Sequence, residues 1–391
     1  MASKKHTFSE KTYRPGPVYL DCNATTPLEP EVFETLKHYL LEDFGNEGSR
    51  THEFGSRAKQ AVQKARDQVA TLVAARREEV IFTSGATESN NLVILGLAEW
   101  GRTHGRRHVV SCASEHKAVL EPLEEMARLG FEIDLVTPGP DGRVVPEAIA
   151  AVLRPSTLLV SVMHANNETG VIQPLEGIAD LLTGHPAFLH SDAAQTFGKE
   201  LETLRNPRID LISVSGHKLY APKGIGALIA RRRGYERAPL KPLMHGGGQE
   251  RGIRPGTLPV PMIAALGCAA ECAARDHTKR RQFCEEFRAE ALQALSPLLP
   301  RLNGLGVPSL PHVLSMAFPG IDSEALIVGL KDLIAISNGS ACTSSSYTPS
   351  HVLKAMGQSD GDANETVRLS WCHLTPAVDW NAVVQRIRQL Q

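Results

Sequence analysis

No stretch of about 18 apolar residues occurs in the 391-residue chain, so nothing in it is expected to span a bilayer. Met1 to Tyr13 are polar and charged and lack the apolar core of a secretory signal, which predicts a cytoplasmic protein whose thiols stay reduced. An excess of one charge is missing too, since 42 Lys and Arg stand against 43 Asp and Glu. Binding a nucleic-acid backbone needs a concentrated basic face, so direct contact with DNA or RNA is not expected. The short run Arg231-Arg232-Arg233 follows an apolar stretch and reads as a solvated strand end. Seven cysteines at scattered positions make no disulfide framework, and no pair has the CxxC spacing of a zinc site. Cys268 and Cys272 lie four apart in an alanine-rich run and read as small side chains packed on one helix face. No metal site is expected. There is no internal repeat and no low-complexity segment.

What remains is an ordinary globular composition, 42% apolar and 22% charged, long enough for one large and one smaller domain. From Glu79 to about Ala230, seven short apolar runs alternate with helical stretches. The runs begin at Val80, His108, Ile133, Leu158, Phe188, Leu211 and Ile225. The helical candidates are Ser89 to Trp100, Lys117 to Leu129 and Pro146 to Leu153. Buried strands alternating with helices predict an α/β domain on a largely parallel sheet. After Pro261 the texture changes to a long helix from Met262 to about Leu295. Then come a strand at Val313 to Phe318, a helix at Ser323 to Leu330, a Ser/Gly/Thr loop, a strand at Val367 to Ser370 and a helix at Val378 to Gln389. This predicts a large domain over 27–258 and a smaller α+β domain made of 1–26 and 259–391.

Six places carry candidate chemistry. Lys218 follows a strand within Ser215-Gly216-His217-Lys218, where a desolvated amine can condense with a carbonyl cofactor. Ser84-Gly85-Ala86-Thr87 follows another strand and opens a helix, whose free N–H groups suit a phosphate. Asp192, in Ser191-Asp192-Ala193-Ala194-Gln195, is placed either to cap a helix or to pair with a protonated pyridine nitrogen. His116, after the strand at His108, can stack on a ring or move protons. Cys342 lies among small polar residues from Ser337 to Ser346, a setting expected to leave a thiol exposed as a nucleophile. Arg368 offers a bidentate fork for a carboxylate, with a surface salt bridge as the plain alternative.

Together these segments resemble the NifS/IscS-like cysteine desulfurases, pyridoxal-phosphate (PLP) enzymes of fold type I, from about Val18 to the C-terminus. The strings that carry the resemblance are Tyr19 to Pro27, Phe82 to Ser89, Met163 to Gly170, Ser215 to Gly224, His245 to Arg251 and Gly339 to Cys342. The resemblance implies a large domain with a mainly parallel seven-stranded sheet, and Lys218 as the cofactor-bearing lysine. It implies that Ala86, Thr87, Ser215 and His217 hold the phosphate. Asp192 would meet the pyridine nitrogen and Gln195 the ring hydroxyl. Asn167 would touch ring and substrate, His116 would stack and transfer protons, and Arg368 with Asn167 would hold the substrate carboxylate. Thr257 would reach the phosphate of a second subunit, which makes the expected enzyme a homodimer. L-Cysteine would become L-alanine, leaving a persulfide on Cys342 for a sulfur-acceptor protein.

Two departures bear on the destination of the sulfur. Asn338 stands where serine is usual, and the chain stops at Gln391, which weighs against docking of an iron–sulfur scaffold. The ending, and the stretch Gly45 to His52, resemble desulfurases that serve DNA phosphorothioate modification, beside which iron–sulfur assembly and tRNA thiolation stay open. A selenocysteine lyase shares the fold and cofactor, and relative rates on the two amino acids separate it. A PLP-binding scaffold without catalysis is the remaining rival. It would show a visible absorption band and form no alanine.

Overall fold

The computed structural model describes residues 16–339 and 349–391. Cys342 lies outside the described residues. Seven strands form the main sheet: β2 (Val80–Thr83), β3 (His108–Cys112), β4 (Glu132–Val136), β5 (Thr157–Ser161), β6 (Phe188–Asp192), β7 (Leu211–Ser215) and β8 (Gly226–Ala230). Their order is β2-β8-β7-β6-β5-β3-β4. The pairs from β4 through β7 are parallel, and β8 runs antiparallel to both β2 and β7. The carboxyl ends of β2, β3, β5, β6 and β7 therefore open on one edge, the usual place for ligands in such sheets. The seven apolar runs of the sequence are these seven strands.

Strands β3, β5, β6 and β7 are buried at every position, which explains their near-continuous apolar runs. The polar residues inside them satisfy one another. His190 Nδ1 meets Ser161 Oγ at 2.8 Å and its Nε2 meets Ser213 Oγ at 3.0 Å, tying three neighbouring strands.

One expected helix is two. The run from Ser89 to Trp100 splits into helices Ala86–Ile94 and Ala98–Thr103. The break lies at Gly96, whose carbonyl accepts the Lys241 N–H at 2.9 Å from outside the helix. Helices Pro30–Leu41 and Glu53–Leu72, which the sequence reading did not single out, pack along the 36-residue helix Val260–Leu295. The basic run is not a solvated strand end throughout. Arg231 is 7% exposed and donates to the carbonyls of Val73 and Leu204, while Arg233 pairs with Asp210.

A second apolar cluster forms around Trp371, Phe287, Phe318 and Trp380. It encloses the sheet of β9 (Arg301–Leu302), β10 (Val313–Ala317) and β12 (Thr366–Ser370). Trp371 is fully buried and its indole N–H donates to Cys284 O at 3.1 Å, so truncating it to Ala costs about 3–5 kcal/mol. Strand β1 (Val18–Tyr19) pairs in parallel with β11 (Ile334–Ala335), which brings the amino-terminal segment onto this second region. Helix Val260–Leu295 serves both cores. Its start belongs to the cluster under the main sheet, and Cys284, Phe287, Ala291 and Leu295 belong to the second.

Candidate active site

A cleft of about 460 Å³ opens at the carboxyl edge of the main sheet. Each wall is one turn. After β2, the turn Ser84-Gly85 leads into helix Ala86–Ile94, whose first residues Ala86 and Thr87 face the cleft. This turn lies tight on the sheet because β8 begins with Gly226. A Cβ there would come within 2.5 Å of Gly85 Cα, so any side chain would push the cradle away. The first turn of this helix, where N–H groups lack intrahelical partners, lines this corner together with Ser215, His217 and Lys223.

The turn after β7 holds Lys218. The amino-terminal segment straps it down: Thr26 donates from both N–H and hydroxyl to His217 O, and Tyr220 N–H donates to Thr26 Oγ1 at 3.0 Å. Tyr220 sits buried at φ 64°, a left-handed conformation costing about 1–3 kcal/mol for a non-glycine residue. Such strain persists because its surroundings hold it, here with Arg280 over the ring and His373 at its edge. His217 is pushed down to about 4 by burial and by Lys218, Lys223 and Lys199, so it is neutral near pH 7.

Asp192 ends β6. Asn90 donates to its Oδ2 at 2.7 Å and Ala194 N–H to its Oδ1 at 2.9 Å, so both oxygens are held. These two bonds fix the orientation of the carboxylate at the wall of the cleft. Close by, Gln195 donates through Nε2 to Asn23 O at 3.1 Å, and its buried Oε1 has no partner among the described residues. That acceptor suits a ring hydroxyl.

His116 lies opposite, after β3. It caps helix Lys117–Arg128, its Nδ1 accepting Ala118 N–H at 3.1 Å, which leaves the Nε2 proton for the cleft. Burial lowers its pKa from the ordinary 6.5, with Asp192 opposing and Lys218 and His351 adding to the shift. Beside it, Glu115 is fully buried. Met163 N–H donates to Glu115 Oε1, and Oε2 has no partner among the described residues. Burial first, then Asp192, raise its pKa well above the ordinary carboxylate value.

The remaining residues stand at the mouth. Asn167 faces the cleft, and its carbonyl accepts both Asn23 Nδ2 and Arg368 Nη1 at 2.9 Å. Arg368 is 5% exposed and is engaged on its other side by Asp21 and Ser337, behind the lining rather than in it. Thr257 is exposed and lies away from this cleft, on the segment that Arg254 ties to Glu88. Nine expected residues thus face one space: Ala86, Thr87, His116, Asn167, Asp192, Gln195, Ser215, His217 and Lys218. Asn90, Glu115 and Lys223 were not singled out from sequence. Asn90 had one signal, a polar residue in the turn of helix that faces the sheet after a phosphate-type loop.

Residues 18–382 match the aminotransferase class-V family. The chain belongs to that family. It is 43% identical over 375 residues to the cysteine desulfurase IscS of Vibrio campbellii, covering 95% of this chain and 92% of that protein. The crystal structure of DndA from Streptomyces lividans superposes with a TM-score of 0.80 at 51% identity, covering 90% of this chain and 98% of that one. A structure of SspA in complex with cysteine superposes with a TM-score of 0.80 at 34% identity over the same shares. Class-V aminotransferases and cysteine desulfurases depend on pyridoxal 5'-phosphate. The cleft fits it. There is a helix start suited to an anion, a carboxylate fixed on both oxygens that suits a protonated ring nitrogen, an amide oxygen with no partner among the described residues, and an amine at a strapped turn. Among the described residues no group of His, Cys, Asp and Glu is arranged to hold a metal ion, and no helix is long and apolar enough to cross a membrane.

Proposed function

We propose that the chain is a PLP-dependent cysteine desulfurase that converts L-cysteine to L-alanine and leaves a persulfide on Cys342 for transfer to an acceptor protein. The observation that carries the reading is Asp192 held on both oxygens in the same cleft as Lys218 and His116. In it, Lys218 bears the cofactor; Ala86, Thr87, Ser215 and His217 hold its phosphate; Asp192 meets the ring nitrogen, Gln195 the ring hydroxyl and His116 the ring face. Bound there, the cofactor supplies an electron-withdrawing ring that stabilises charge left at the substrate α-carbon. The protein's part is positional and protonic. Arg368 and Asn167 orient the substrate carboxylate, the Lys218 amine takes the α-proton, and His116 Nε2 holds or yields a proton at the cleft. The Cys342 thiolate attacks the cysteine sulfur, the carbon–sulfur bond breaks, and L-cysteine plus one thiol become L-alanine plus one persulfide.

The domain division at residue 258, with 1–26 returning to the smaller part, belongs to the same proposal. So does a homodimer in which Thr257 serves the second copy's phosphate. Leu243 and Met244, exposed beside the glycine-rich turn 246–248, support a covered face there. Likeness to DndA favours sulfur delivery to DNA phosphorothioate modification over iron–sulfur assembly or tRNA thiolation. The test is to incubate the PLP-loaded protein with cysteine and measure alanine and protein-bound sulfur. One persulfide per chain, absent from Cys342→Ser while the visible absorption stays, is the expected result. Native-rate alanine formation by Cys342→Ser would sink the assignment.

A further inference from the structure

Glu168 is a buried carboxyl that none of the roles above uses. It is 4% exposed and follows Asn167, the residue that links Asn23 and Arg368 at the mouth of the cleft. Its Oε2 accepts the Ser350 hydroxyl. Gly339 lies close to the same side chain. A Cβ built on Gly339 would stand 3.4 Å from Glu168 Cβ, Cγ and Oε2, and its φ of 82° is one that side chains rarely adopt. Gly339 and Ser350 flank the segment 340–348, which carries Cys342.

Both flanks are further tied to catalytic turns. On one side Ser337 Oγ accepts Gly339 N–H and Arg368 Nη2 and donates to Asp21. On the other, Ser350 caps helix His351–Ala355, and His351 Nε2 donates to Glu115 O at 2.8 Å, next to His116. Glu168 thus bonds Ser350 and lies close to Gly339, the residues that flank 340–348, on the turn that presents Asn167. Burial raises the Glu168 pKa, so the contact relies on a hydrogen bond more than on net charge.

We propose that Glu168 is a positioning residue for sulfur transfer, registering the two ends of the Cys342 segment on the Asn167 turn. The inference rests on the desulfurase reading. A misplacement of about 1 Å between reacting groups can cost about a hundredfold in rate. Glu168→Ala in the PLP-loaded protein should therefore slow alanine formation by about that factor. The cofactor absorbance, the spectral change on adding cysteine and the KM for cysteine should stay native. Glu168→Gln, whose amide oxygen accepts the Ser350 hydroxyl, should recover most of the rate. Ser350→Ala removes the same bond from the other side and should slow the reaction in the same sense, which keeps the test decisive if Glu168→Ala does not fold.

Several results would overturn the inference. One is native rates in Glu168→Ala and Ser350→Ala. Another is loss of cofactor absorbance in step with rate. A third is Glu168→Gln being as slow as Glu168→Ala. If the native chain forms no alanine, both this inference and the desulfurase reading fall. A native chain that forms it, with equally fast variants, defeats this inference alone.

Discussion

Asp192 and Arg368 are both charged, buried and held by several hydrogen bonds, yet they are held by different kinds of structure. Asp192 is gripped at a strand end by the next turn and by a helix packed on the same sheet. Most of its neighbours on this face are short contiguous strings at strand ends, with the amino-terminal segment at Asn23 and Thr26 as the exception. Arg368 is held by Asp21, Ser337 and Asn167, residues 347, 31 and 201 positions away. The cofactor face is thus a set of local turns on a rigid sheet. The proposed substrate face is a knot of distant segments tied at the mouth. Damage to the first should abolish chemistry. Damage to the second should shift binding and positioning.

The largest effect is expected at Lys218. Lys218→Ala should lose the visible absorption of the bound cofactor and lower alanine formation by about a thousandfold or more, the upper part of the range for a lost proton-transfer group. Absorption and turnover unchanged in that variant would remove the centre of the cofactor face. Next comes Asp192→Asn, which keeps the shape but not the charge, and should cost about a hundredfold or more in kcat with the folded structure retained. Asn90→Ala acts only through Asp192 and should cost less than Asp192→Asn. A larger loss at Asn90 than at Asp192 would reverse the order of dependence argued here.

Arg368→Lys tests the other face. Lysine keeps the charge but not the two-pronged fork, so KM for cysteine should rise by about tenfold with a smaller change in kcat. A cysteine titration reads this directly. An unchanged KM would mean the arginine is a strut between Asp21 and Asn167 and holds no substrate carboxylate.

The same division decides what could be read before the structure was known. The seven strands, and the sites at Thr87, His116, Asp192 and Lys218, were legible because each is a local pattern, an apolar run followed by a chemically distinctive turn. Asp21, Asn23, Glu168 and Ser350 were not, because their meaning lies in partners more than a hundred residues away. The split near Gly96 was missed for the same reason, since the bond that ends the helix comes from Lys241. Arg231 was misread because no local signal shows that the helix end at Val73 would take its guanidinium.

The smallest expected effect concerns Glu115, behind the cofactor face, and it has a definite sign in pH. Its folded pKa is raised above 4.5 by burial and by Asp192, so folding takes up a proton at pH values above 4.5. That uptake makes the native protein less stable as pH rises, by about 1.4 kcal/mol per pH unit until the folded carboxyl ionises. Glu115→Gln removes the titration and keeps an oxygen to accept Met163 N–H. The variant should therefore gain stability relative to the native protein as pH rises from about 4.5. Buried histidines run the other way. His164 and His190 titrate near 4 when folded against 6.5 when unfolded, so their contribution is complete above 6.5 and is lost as pH falls toward 4. Urea unfolding of both proteins from pH 5 to 8 separates the two slopes. A stability difference that does not grow with pH would mean that Glu115 is ionised in place, and that the cofactor face tolerates a second buried negative charge beside Asp192.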